Sequence, residues 1–208
     1  MNKTIIALAL AGVAMPAAAQ AQDYDSSNAV AADKAGVRVE GRLSWERIND
    51  PEEEAGINYE IGSGIAYGGE IGVDFPVSER VVLGPYVNYE ASSVEDCADG
   101  LCVGSDGFWS AGIHAGLITG KSGMVYAKLG YGEQTIYLDG EFYDAGTNTT
   151  FVFDESETGG GYAFAMGYEH GFTSTLYGRA EVGVSEASDI YGFDFQRGHI
   201  GLSLGARF

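Results

Sequence analysis

The chain closes with "GHIGLSLGARF", residues 198–208. Counting back by twos, one face carries Phe208, Ala206, Leu204, Leu202 and Ile200, and the other Arg207, Gly205, Ser203, Gly201 and His199. Successive side chains of a β-strand point to opposite faces, so alternation of this length predicts a strand. A water-soluble sheet places its large apolar residues inside and polar ones in water. Here the second face is mostly glycine and serine. The fold turns on which face looks outward, and into what solvent.

The pattern recurs along the chain. Val37, Val39, Leu43 and Trp45 oppose Arg38, Glu40, Arg42, Ser44 and Glu46; Ile65, Tyr67, Ile71, Val73 and Phe75 oppose Ala66, Gly68, Glu70, Gly72 and Asp74. Further runs begin near Val81, Trp109, Val125, Tyr162 and Leu176, and the terminal strand makes eight. Short turns fall near 76–80, 119–123 and 170–174. Long acidic loops are expected near 48–58, 92–107, 139–159 and 186–197. An even strand count with short turns on one side and long loops on the other describes an all-β, eight-stranded antiparallel up-and-down transmembrane β-barrel. A lipocalin-like soluble barrel would bury its large apolar residues. This second face of Gly, Ala, Ser and charges instead suits a narrow eight-stranded lumen. The large apolar face is therefore expected to meet lipid.

The opening, "MNKTIIALALAGVAMPAAAQAQ", has an early Lys3, an apolar run from Ile5 to Met15 and then small residues, the layout of a secretory signal peptide. Residues 1–21 are read as the signal, cleaved between Ala21 and Gln22, residues 22–35 as a flexible lead-in, and 36–208 as the barrel domain. A membrane anchor would need about 20 apolar residues, more than this run supplies. The 30 Asp and Glu against 11 Lys and Arg disfavour nucleic acid, whose backbone needs cations. Mean hydropathy is −0.04, and no apolar stretch after the signal could form a membrane helix.

The segment "WSAGIHAGLITGKSGMVYAKLGY" (109–131) and the ending "GLSLGARF" (201–208) resemble the central hairpin and terminal strand of the small OmpA-type or opacity-type outer-membrane barrels, the porin-family proteins. The resemblance covers residues 36–208. It implies an integral protein of the bacterial outer membrane with both termini periplasmic, a monomer whose partners are outer-membrane lipid, lipopolysaccharide or its equivalent, the barrel assembly machinery and periplasmic chaperones. It also implies that Phe208, with Leu204, Leu202 and Ile200, is the signal read during assembly. The chain stops on its last strand, so no peptidoglycan-binding domain of the OmpA kind is expected. The family shares a barrel and not a chemistry.

The candidate sites follow from this frame. Cys97 and Cys102, with four residues between them in a loop, are expected to form a disulfide; a metal or redox pair is the alternative, without CxxC spacing or a neighbouring histidine. Arg38, Glu40, Arg42, Glu70, Lys128, Arg179 and Glu181 are expected to form a lumen charge network, together with Glu46, Asp74, Glu90, Glu169 and Arg207. Buried charges persist when paired and hydrogen-bonded. A narrow ion path is the alternative. His114, His170 and His199 lack a His-x-Ser pattern, and the omptin proteases need ten strands and an Asp–His pair, neither of which the sequence shows. No enzyme, cofactor or metal site is expected. Carboxylates in the loops (Asp50 and Glu52–Glu54; Glu95, Asp96, Asp99 and Asp106; Asp154, Glu155 and Glu157) match no EF-hand spacing. Aromatics at strand ends (Trp45, Tyr59, Phe75, Tyr89, Phe108, Trp109, Tyr131, Tyr137, Tyr168 and Phe208) are expected to form interfacial girdles. The expected role is structural, or contact at the cell surface through the acidic loops. A passive channel and a lipid-modifying enzyme are the alternatives.

Overall fold

In the computed structural model every long strand of the ring pairs with both neighbours, so none has an open edge. The structure describes residues 30–50, 60–98, 100–144, 146 and 148–208. The expected signal peptide, its Ala21–Gln22 cleavage site and residues 22–29 lie outside them. A one-turn 3-10 helix, Val30–Lys34, precedes β1 (Gly36–Asn49), β2 (Glu60–Ser78), β3 (Val81–Ser92), β4 (Glu95–Ala98), β5 (Leu101–Thr119), β6 (Gly123–Asp144), β7 (Thr149–Gly171), β8 (Leu176–Ile190) and β9 (Phe193–Arg207). All pairings are antiparallel. The first and last strands close the ring with Arg38 opposite Arg207 and Trp45 opposite Ile200, while β3 pairs directly with β5. The short β4 is an arm of a hairpin on β5, so eight long strands make an antiparallel up-and-down barrel.

The two faces are inverted relative to a soluble sheet. Leu129 is 63% exposed and Leu204 70%, whereas Arg38 is fully buried and Glu70 is 1% exposed. A wall of Leu, Ile, Val, Tyr and Phe with no polar cover is the apolar band of a membrane barrel. Among the described residues no helix is long and apolar enough to span a membrane; the strands are the only candidates to cross.

The ends differ from the sequence reading in two ways. The stretches 139–159 and 186–197 are mostly strand, not loop. Strands β6 and β7 stay paired out to Asp144–Thr149, and β8–β9 closes in a tight turn with Asp189, Tyr191 and Gly192 in left-handed conformations. Alternation fails there because both faces of such a ribbon meet water: residues 149–152 and 154–156 are all exposed. At the other end, residues 30–34 of the expected flexible lead-in form the 3-10 turn. It is tied down by Ala31 N–H donating to Glu79 O (3.1 Å) and Lys34 Nζ donating to Ser122 O (3.2 Å).

Candidate functional site

The barrel interior is an ion-pair lattice closed at each end by apolar residues. Inward positions of the strands, together with Lys34 of the 3-10 turn, carry seven buried cations (Lys34, Arg38, Arg42, Lys128, Arg179, Arg197, Arg207) and seven buried carboxylates that pair with them (Glu40, Glu46, Glu70, Asp74, Glu90, Glu169, Glu181). The structure thus brings together all seven residues of the expected network. Glu70 accepts from Arg38 Nη1 (2.7 Å) and Lys128 Nζ (2.8 Å); Glu181 accepts from Arg42 Nη2 (2.7 Å) and contacts Lys128 Nζ (2.7 Å). Arg179 pairs with Glu40 (2.7 Å) and with Glu169 (2.8 Å), and its guanidinium lies over the ring of Tyr126 at 4.5 Å. Nearer the short turns, Arg207 joins Asp74 and Glu169. Nearer the long hairpins, Arg197 joins Glu46 and Glu90.

Polar neighbours complete the lattice. Tyr177 donates to Glu40 (3.0 Å), Tyr126 to Glu181 (3.0 Å) and Ser203 to Glu40 (2.9 Å). A Cβ at Gly72 would strike the Arg38 guanidinium, and one at Gly205 the Tyr177 ring, so glycine at these inward positions makes room for the large groups opposite. Space left beside Arg42, Tyr86, Glu90, Lys128 and Glu181 amounts to about 20 Å³, enough for about one water molecule. Ile48, Ile61, Val94, Ile136, Ala187 and Ile190 cap the lattice at the long-hairpin end; Ala31, Val82, Ile118 and Met124 cap it at the short-turn end.

Several inward residues escaped the sequence reading. Arg197 fell inside an expected loop, although it continues the His199–Gly201 phase inward. Lys34 lay in the expected flexible segment. Phe108 was expected in a girdle, but it alternates with Trp109 and points inward, with the Arg197 guanidinium 4.7 Å above its ring. The Asp–His pair that the sequence did not reveal is present: His114 Nδ1 lies 3.0 Å from Asp74 Oδ1, wholly buried. Trp45, Phe75, Tyr89, Trp109, Tyr131, Tyr168 and Phe208 do face outward, and Trp109 and Tyr131 meet edge to face at 6.1 Å. Tyr59 lies outside the described residues. Phe208 closes the ring through reciprocal backbone hydrogen bonds with Val37.

Beyond the apolar cap, the long hairpins form an acidic rim. Glu60, Glu95, Asp96, Asp106, Glu133, Asp139, Glu141, Asp154, Glu155, Glu157, Glu186, Asp189 and Asp194 lie here, and Arg47, paired with Glu60, is the one cation among the described residues at this end. Glu52–Glu54 and Asp99 lie outside the described residues. Among the described residues, these thirteen rim carboxylates are exposed or half-buried, and Asp50 is buried at the same end. Cys97 and Cys102 face each other across the β4–β5 hairpin and are disulfide-bonded. Tyr137 braces this hairpin by donating to Glu95, and that carboxylate pushes the Tyr137 hydroxyl up to about 12.

No family model and no curated protein sequence matches the chain. Solved structures do. Ail, the attachment invasion locus protein of Yersinia pestis, is 8% identical with a TM-score of 0.51, covering 82% of this chain and 98% of that one. The same protein in complex with the heparin analogue sucrose octasulfate gives 10% and 0.52, with 82% and 98% covered. Neisserial surface protein A gives 11% and 0.54, covering 84% and 98%. At such identity the likeness speaks for the fold, and it agrees with the closed ring and the inverted faces: the chain has the fold of the small eight-stranded outer-membrane β-barrels.

Proposed function

We propose that this protein is an integral outer-membrane barrel, non-enzymatic, with its short turns in the periplasm and its work done at the acidic rim. There it supports the envelope or the cell surface by contact with cationic partners, including divalent cations that bridge to anionic lipopolysaccharide. The observation that carries the reading is the division of charge. Seven cations and seven carboxylates cancel inside the lumen, while the rim carries carboxylates almost alone. A lumen that is neutral, filled and apolar at both ends offers neither a water path nor a field to select ions, which speaks against the channel reading. The Asp74–His114 pair is wholly buried in that same filled interior.

Ail has been crystallised with a polysulfate. The rim of the present chain has the opposite complementarity, since like charges brought together at an interface are repelled. Proteoliposomes carrying the protein are therefore expected to bind an oligolysine peptide in a salt-sensitive manner and to leave sucrose octasulfate unbound. Replacing Asp154, Glu155 and Glu157 with Asn, Gln and Gln should weaken oligolysine binding several-fold while the folded gel mobility is kept. Preference for the polysulfate, or oligolysine binding indifferent to salt and to these substitutions, would overturn the reading.

A further inference from the structure

Two cavities stand apart from the acidic rim, one on the outer wall and one at the foot of the barrel. One is a groove of about 860 Å³ across the outer wall of β1, β9 and β8. Register places Gly41 opposite Leu204, and Leu204 opposite Gly178, with Leu43, Leu202 and Ala180 forming the adjoining row. Gly41 has open space where a side chain would stand, between ridges formed by Tyr67 on one side and Tyr168 and Phe172 on the other. The second cavity, about 480 Å³, lies at the foot of the barrel under the β7–β8 turn. It is polar: Lys34, Lys121, Arg207 and the Thr173, Ser174 and Thr175 segment line it, with Asp33 as the carboxylate among the lining residues. Lys34 and Arg207 are paired to lumen carboxylates, and Lys121 stands exposed at the mouth. Phe172 lines both cavities.

An apolar groove that meets a cationic polar pocket at the level of the short turns has the two halves of an amphiphile. We propose that the pair is one binding site for an anionic glycerophospholipid, its phosphate held by Lys121 and the turn hydroxyls and one acyl chain lying in the Gly41 groove. The proposal rests on the reading that this wall faces lipid with its short turns at headgroup level. Bulk lipid is as apolar as the groove, so burial alone gives no preference; the preference comes from close packing into a recess and from the cation at the interface. The site would tether one lipid to the seam where the first and last strands close the barrel.

Native mass spectrometry of the barrel released from phosphatidylglycerol–phosphatidylcholine nanodiscs tests this. Wild type is expected to retain one phosphatidylglycerol under activation that strips phosphatidylcholine. Gly41→Leu, which fills the groove without a clash, and Lys121→Glu should each reduce the retained fraction at least tenfold, while Lys121→Arg keeps it. Equal retention in wild type and both variants would overturn the proposal, as would a dimer mass that Gly41→Leu removes, which would assign the groove to a second copy. Heat-shifted gel migration is read in parallel. A wild type without it would contradict the membrane-barrel reading itself, and retention is interpreted in variants that show it.

Discussion

Arg179→Met is expected to lower the stability of the barrel in detergent micelles by roughly 3–5 kcal/mol, the penalty for leaving buried charges without their partner. Arg179 is the cation that joins Glu40 to Glu169, while stacking on Tyr126 and Tyr177. Methionine fills part of the volume and removes the charge, so the loss reports electrostatics more than packing. The lattice as a whole need not stabilise more than an apolar core of equal volume would, since desolvating ions offsets much of their attraction. What the lattice does is link strands: each of its carboxylates has a cation partner on another strand. Urea unfolding midpoints measure the effect. The double variant Arg179→Met with Glu40→Gln should recover part of the loss, since it restores the charge balance and leaves Arg38 paired with Glu70 and Asp74. An unchanged midpoint for the single variant would mean a hydrated lumen.

The second large effect concerns the outside. Leu129→Arg and Val182→Arg place a cation on the apolar wall, and each should cost about 2–4 kcal/mol if that wall lies near mid-bilayer. The comparison that isolates the membrane is Thr135→Arg on the same strand, 6 residues further toward the hairpin end, where Thr135 pairs with Thr158 in the rim. That change should cost little. Folding yield and unfolding midpoint in lipid vesicles give the difference, and equal tolerance of all three would invert the assignment of faces.

The faces were legible in sequence because the wall divides two solvents, hydrocarbon and a charged lumen, and this division imposes a period of two on every strand it crosses. Where it ends, so does the signal. Residues 149–158 form a paired strand with nearly every side chain in water, and their sequence therefore reads as loop. Arg197 was hidden for a related reason, at the edge where alternation fades. The disulfide was legible from spacing and compartment alone. The Asp74–His114 pair was not, because it joins β2 to β5 over Gly84 of the intervening β3, and the alternation rule places residues on a face without saying which meet. Lys34 shows the same limit: a short polar segment becomes ordered because Glu169 and the backbone of Ser122 lie beneath it.

Conductance across a planar bilayer tests the central claim most directly. With a balanced lattice in the lumen, about 20 Å³ of space beside its central residues and apolar clusters at both ends, the inserted barrel is expected to leave the membrane current at its protein-free baseline. Folding would be confirmed in the same preparation by heat-shifted migration, and insertion by flotation of the protein with the vesicles fused to the bilayer. Stable, ohmic single-channel steps from fully folded protein would contradict the sealed barrel, and with it the assignment of function to the acidic rim.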